Sequence, residues 1–140
     1  MPEKLKPNYI DHISIAVKDI RTAEEDFRLT FGWEADGRYS DDDEKINVVY
    51  YMIGQTALEI MEDTDGTGEV ARFIDKHGEG IMVFSINVDN TIDSLELLKR
   101  NGAKLLDQKP RFAKELKRHF AFLHPKQCHG VLAEVIDGKY

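Results

Sequence analysis

Apolar and polar residues alternate along Ile10-Asp-His12-Ile-Ser-Ile-Ala-Val17. Ile13, Ile15 and Val17 share one face, and His12, Ser14 and Ala16 the other. That period of two predicts a half-buried strand with one histidine on its less apolar face. The period then lengthens. Ile20, Ala23, Phe27 and Phe31 recur at helical spacing, Asp19 stands where a cap belongs and Gly32 where a helix ends, so a helix is expected over about 19–31. Gly37 and the acidic run Asp41-Asp42-Asp43-Glu44 mark a strand end and an exposed loop. A β-rich run follows from Ile46 to Ile53. Gly54-Gln55 turns the chain into a strand, Thr56 to Met61, that sets Leu58 and Ile60 against Ala57, Glu59 and Met61.

Asp63-Thr-Asp-Gly-Thr-Gly68 lacks the terminal glutamate of an EF-hand loop and reads as a linker. Val70, Phe73, Ile74 and His77 fit a short helix ending at Gly78. A second block opens at Gly80. Met82, Phe84, Ile86 and Val88 form one face of its first strand, and Val83, Ser85 and Asn87 the other. Asn90 is placed to cap a helix carrying Ile92, Leu95 and Leu98, which stops at Asn101-Gly102. Strands are expected near 103–107, 118–124 and 130–136, and residues 1–8 as a loose arm. Both blocks run strand, helix, three strands, so the chain reads as a duplicated βαβββ unit. The expectation is an α+β fold forming one domain over 1–140. Module one covers about 9–62, the linker and short helix about 63–79, and module two about 80–137, with the two modules paired around a shared cleft.

Composition narrows the function classes. The chain has 140 residues, 41% hydrophobic and 32% charged, an ordinary globular mix. No apolar run approaches the ~18 residues of a membrane span, and MPEKLKPNYI has no signal-like apolar core; a cytoplasmic location is the default expectation. Nineteen basic against 26 acidic residues give −7. That balance argues against nucleic-acid or anionic-membrane binding but leaves room for a local anion site in the basic segment Lys109 to Arg118. The single cysteine, Cys128, excludes an intramolecular disulfide and a Cys-rich zinc module.

If the more apolar strand faces carry the helices, the opposite faces present His12, Glu59, Val83 and Glu134. An imidazole and two carboxylates are borderline-to-hard donors suited to Co²⁺, Mn²⁺, Fe²⁺, Zn²⁺ or Mg²⁺. A carboxylate on a strand among apolar neighbours is costly unless it is paired or holds a cation, and two of them stand at equivalent places in the repeat.

These residues carry a resemblance. Ile10-Asp-His-Ile-Ser-Ile-Ala-Val-Lys-Asp19, Thr30-Phe-Gly-Trp33, Thr56-Ala-Leu-Glu-Ile60, Gly78-Glu-Gly-Ile81, Phe122-Leu-His-Pro-Lys126 and Gly130-Val-Leu-Ala-Glu134 resemble the vicinal oxygen chelate (glyoxalase/bleomycin-resistance) family. Within it they are most similar to the methylmalonyl-CoA epimerase branch. The likeness runs from about residue 9 to 137.

The resemblance implies a divalent metal held by His12, Glu59 and Glu134, with Glu134 and then Glu59 as proton carriers. It further implies an acyl-CoA ligand, 2-methylmalonyl-CoA or a relative, and a homodimer. Lys126, Arg111 and Lys114 are the expected contacts to the ligand's phosphates. One position departs: the branch carries His-His after Gly-x, and this chain reads Gly80-Ile-Met82-Val83, so the second histidine, a ligand, is a valine. His119 is the candidate substitute ligand or base, provided Phe120 and Phe122 face the helices. The alternative reading is a small-molecule binding protein of the same family with a weakened or absent metal site, or another of its isomerases or lyases.

Overall fold

The computed structural model describes residues 1–140. Its strands are β1 (Tyr9–Ala16), β2 (Gly37–Asp41), β3 (Ile46–Ile53), β4 (Thr56–Asp63), β5 (Gly80–Asn87), β6 (Arg111–Ala113), β7 (Arg118–Phe122) and β8 (Leu132–Ile136). Its helices are α1 (Ile20–Phe31), α2 (Glu69–His77) and α3 (Thr91–Arg100), with a single 3-10 turn at Pro125–Cys128. The fold is mixed α+β. The chain divides into two units, Ile13–Met82 and Met1–His12 with Val83–Tyr140.

In the unit Ile13–Met82, β2, β3 and β4 form an antiparallel meander with Tyr39 opposite Val48 and Tyr50 opposite Glu59. Helix α1 forms where the 3.6-residue period predicts it. The Asp19 carboxylate accepts from the amides of Arg21 and Thr22, and Gly32 closes the helix at φ 71°, a left-handed conformation that suits glycine. Ile20, Ala23 and Phe27 of α1, with Trp33 beyond it, pack on Ile15, Val17, Val49, Tyr51 and Ile60. One face of this unit is therefore spent on the helix, and the alternate residues of its strands point the other way. The Asp63 turn works as a cap. Its Oδ1 accepts from the amides of Asp65 and Gly66, and its Oδ2 from those of Gly68 and Ala71, so the loop's own backbone occupies this carboxylate.

In the other unit β5 runs parallel to β8, and β8, β7 and β6 continue antiparallel. Helix α3, capped by Asn90, lays Leu95 and Leu98 on Ile86, Val88, Ala121 and Val135. On the reverse face Phe120 and Ile136 join Ala113, Leu116 and Phe122.

The structure departs from the sequence reading in three places here. The N-terminal arm is tied down: Leu5 packs into the α3 cluster, Arg100 pairs with Glu3 at 3.0 Å, and the Asn8 amide donates to the Asn87 carbonyl. Residues 103–107 form no strand; Leu105 makes a single bridge to Leu123. The basic segment is a β6–β7 hairpin rather than an open loop, with Ala113 and Arg118 buried at its base.

Candidate active site

In the unit Ile13–Met82, the face away from α1 holds a buried carboxylate. Glu59 is 1% exposed. The Ser14 hydroxyl donates to its Oε1 at 3.1 Å and the Tyr39 hydroxyl to its Oε2 at 2.8 Å. The positions follow from register: Tyr50 lies opposite Glu59, and Tyr39 opposite Val48, so Tyr39 rises on the Glu59 side of the meander. Two hydroxyl donors take the place of water around the buried carboxyl group.

In the other unit the face away from α3 carries His12, Val83, Ser85, Asn87 and Glu134. Ser85 is the register partner of Glu134, and Val83 that of Leu132; side chains two apart on one strand share a face. Val83 therefore stands on the Glu134 side, where the resemblance leads one to expect a histidine, and offers no donor.

His12 sits between two carboxylates. Its Nδ1 is 2.7 Å from Asp11 Oδ1 and its Nε2 is 2.9 Å from Glu134 Oε1. The two approaches differ. The first is a hydrogen bond; the second is close enough for an ion pair yet lacks hydrogen-bond alignment, and Glu134 Oε1 is buried with no hydrogen-bond partner.

Asp11 is itself anchored. Its Oδ2 accepts from Asn87 Nδ2 at 2.8 Å and from Arg118 Nη2. Arg118 leads the fully buried side chains in size. Its Nε donates to the Asp137 carbonyl at 2.8 Å, and its guanidinium lies over the Tyr140 ring at 4.8 Å. Burial would raise the Asp11 pKa, but the hydrogen bond from His12 and the pairing with Arg118 win and hold it below the usual carboxylate value. Burial likewise acts to lower Arg118, and the bond to Asp11 outweighs it, so the guanidinium titrates higher than usual. An ionised Asp11 only accepts, so the proton of this bond is carried on Nδ1 of His12, and Nε2 faces Glu134.

Three buried polar atoms of this unit have no hydrogen-bond partner: Glu134 Oε1, Ser85 Oγ and Arg118 Nη1. Folded proteins keep such atoms rare, each costing about 1–3 kcal/mol. Glu134 and Ser85 are register partners on one face, so two of these atoms lie where a bound water, ion or ligand would meet them. A divalent cation fits the His12–Glu134 pair on donor chemistry. With Val83 contributing nothing, ligand oxygens or water must complete the shell, and no set of three or more His, Cys, Asp or Glu is gathered as a metal cluster.

The other expected residues are placed as follows. His119 is not beside Glu134. The expectation required Phe120 and Phe122 to face the helices, and the reverse holds: Ala121 packs on α3, while Phe120 and Phe122 lie on the Glu134 side. His119 shares the Ala121 parity, is exposed, and meets Phe112 at 4.9 Å between ring centroids. Arg111 lies on the Glu134 side, opposite Phe120 in register. Its guanidinium stands 5.1 Å over the Phe122 ring, and its Nε donates to Asp107 at 2.9 Å. Lys114 and Lys126 are exposed.

Asp11, Ser14, Tyr39, Ser85, Asn87 and Arg118 went unread as site residues. The Asp-His pair was visible in the sequence, and the alternation already put Ser14, Ser85 and Asn87 on the polar faces. Tyr39 needed the β2–β3 register, and Arg118 was hidden within a charged run.

Three comparisons bear on the site. The family model described as Glyoxalase/Bleomycin resistance protein/Dioxygenase superfamily matches residues 11–122. The uncharacterized protein YqjC of Bacillus subtilis (strain 168) is 28% identical over 132 residues, 94% of each chain. The ethylmalonyl-CoA/methylmalonyl-CoA epimerase of Cereibacter sphaeroides is 27% identical over 128 residues, 90% of this chain and 95% of that one. Among solved structures, a Streptomyces coelicolor methylmalonyl-CoA epimerase variant in complex with 2-nitronate-propionyl-CoA superposes with a TM-score of 0.89 at 27% identity, over 95% of this chain and 96% of that one.

Proposed function

The chain belongs to the Glyoxalase/Bleomycin resistance protein/Dioxygenase superfamily, and from that premise we propose that it is an epimerase-like isomerase that moves the α proton of an acyl-CoA thioester, 2-methylmalonyl-CoA or a close relative. The observation that carries this reading is the buried His12–Glu134 pair, with an imidazole nitrogen 2.9 Å from a carboxylate oxygen that has no hydrogen-bond partner. Relatives with epimerase activity and a neighbour in complex with an acyl-CoA analogue support it.

The proton to be moved lies between a thioester and a carboxylate. A bound divalent metal supplies Lewis-acid stabilisation of the enolate that its removal creates. His12 and Glu134 are the residues that would hold it; for Glu59, a donor and proton-carrying role rests on the resemblance alone. Glu134 is the first choice of base. Its Oε1 has no hydrogen-bond donor, whereas both oxygens of Glu59 are already engaged by hydroxyls. The aromatic wall of Phe120 and Phe122 keeps water from the Glu134 side of β7. Lys114, Lys126 and Arg111 are the proposed contacts to the phosphates of the CoA. Arg111 is the most constrained of them, because Asp107 and Phe122 already orient it.

Glu134→Gln keeps the shape and removes the base. We expect it to lower kcat for epimerisation of 2-methylmalonyl-CoA by roughly 10²–10⁴-fold with little change in KM; a kcat within threefold of wild type would refute the assignment of Glu134. A second reading, ligand binding without turnover, is favoured by one observation, the apolar Val83 on the Glu134 side. It predicts saturable acyl-CoA binding with no α-proton exchange at any metal concentration.

A further inference from the structure

Arg118 is an expensive residue for the hairpin to bury. It is 1% exposed, it is charged, and taking a lone charge out of water costs several kcal/mol unless it is paired. A fold of this size gains nothing in packing from a guanidinium that an aliphatic chain would not supply. What the guanidinium does, and an aliphatic chain could not, is reach Asp11.

The contacts form a directional chain. The Arg118 Nε is pinned by the Asp137 carbonyl at 2.8 Å, and Nη2 reaches both the Gly138 carbonyl and Asp11 Oδ2. Asn87 Nδ2 holds the same carboxylate oxygen at 2.8 Å and also donates to the Gly138 carbonyl at 3.0 Å. The other Asp11 oxygen holds His12 Nδ1 at 2.7 Å. Tyr140 closes the assembly, with its ring 4.8 Å from the guanidinium and edge-on to His12 at 6.3 Å between centroids. A histidine side chain has two torsions. One end of this ring is fixed by a carboxylate that is itself fixed on two sides, so the other end, Nε2, is directed at Glu134.

We propose that Arg118, acting through Asp11, is a positioning residue that fixes the His12 ring with Nε2 toward Glu134 and thereby sets the affinity of this pair for a divalent cation. The inference rests on the reading of His12 and Glu134 as metal donors, and it deepens that reading. It accounts for the buried cation, and it matters more here than at a site with a full set of donors. With Val83 in place of an imidazole, the cation depends on fewer protein donors, and each must be pre-oriented because no neighbour corrects a misplaced one. Carboxylates that hold the far nitrogen of a metal-binding imidazole typically change metal affinity by 10–100-fold when lost.

The test uses the full chain and two readouts that need no turnover. Co²⁺ alone is titrated by calorimetry, and the His12 ring nitrogens are followed by NMR on ¹⁵N-labelled protein without metal. The variants are Arg118→Lys, which keeps a charge but loses the fork, and the charge-matched pair Arg118→Met with Asp11→Asn, which leaves no lone buried charge to unfold the hairpin. Thermal unfolding establishes that each is folded.

Wild type is expected to show one fixed pair of His12 nitrogen signals, with the proton on Nδ1. In the double variant the signals average between tautomers and Co²⁺ affinity falls roughly 10–100-fold. Arg118→Lys falls between wild type and the double variant. Folded variants with wild-type His12 signals would overturn the proposal, as would wild-type Co²⁺ affinity in the double variant. A wild type that binds no Co²⁺ removes the metal from the proposed function but leaves the ring-nitrogen comparison to decide whether Arg118 orients His12.

Discussion

At the scale of single residues, the His12 ring is the pivot. Asp11 holds one nitrogen and Glu134 faces the other, so His12 is held as a ligand is held, with its second nitrogen spoken for. On the proposed metal reading, Val83 is the position where a donor is missing. It is 4% exposed on the Glu134 side of β5, where an imidazole would add a donor. Val83→His is therefore expected to tighten Co²⁺ binding by roughly tenfold or more, as measured by calorimetry. Unchanged affinity in a folded variant would mean that the missing donor is not what limits binding. His119, by contrast, lies on the α3 side of β7 and is exposed. His119→Ala is expected to leave both metal affinity and turnover within twofold of wild type.

At the scale of elements, the period of apolar residues determined most of what could be read in advance. Helix α1 and its Asp19 cap, helix α3 and its Asn90 cap, and the polar faces of β1, β4, β5 and β8 all follow from spacing alone. The stretch 103–107 did not, for a local reason. Asp107 Oδ2 takes the Phe122 amide at 2.9 Å; a side-chain oxygen thus occupies the donor that a ladder would need, and Leu105 is left with one bridge. The parity of β7 failed as well, because Phe120 and Phe122 look like core-facing residues of the helix side and instead line the opposite face.

Two stability predictions belong to elements. Leu95→Ala, at the buried centre of α3, is expected to cost about 2–5 kcal/mol, while Ile92→Ala, 53% exposed on the same helix, stays within about 0.5 kcal/mol in denaturant unfolding. Asp63 makes stability depend on pH. Burial would raise its pKa, but the four amide bonds outweigh burial and hold it below the usual carboxylate range. A carboxylate depressed by folding stabilises above its unfolded pKa and loses that contribution as pH falls through the folded value. The deficit of Asp63→Asn relative to wild type is thus expected to be on the order of 1 kcal/mol at neutral pH and to shrink below about pH 3.8, as followed by thermal melts across pH. A deficit constant from pH 7 to 2 would contradict the assignment.

At the scale of the molecule, charge and chemistry divide the labour. The chain carries −7 overall, so the proposed acyl-CoA ligand, itself anionic, would need a local cationic surface, for which Lys114, Lys126 and the half-exposed Arg111 are the candidates. That attraction is screened by salt: KM for the CoA thioester is expected to rise with ionic strength while kcat holds. Two carboxylates of the acidic excess, Glu59 and Glu134, are buried, at 1% and 5% exposed, and these are the two proposed as functional groups. The sequence exposed these two carboxylates because their apolar neighbours made them anomalous. It concealed Arg118 because a charged residue in a charged run is no anomaly until its burial is seen.

The measurement that bears most directly on the central claim is deuterium incorporation at the α carbon of 2-methylmalonyl-CoA in heavy water, catalysed by purified wild-type protein with added Co²⁺. Exchange well above the protein-free rate, lost in Glu134→Gln, is the predicted result. A thioester that binds saturably yet exchanges no α proton, with or without metal, would contradict the account.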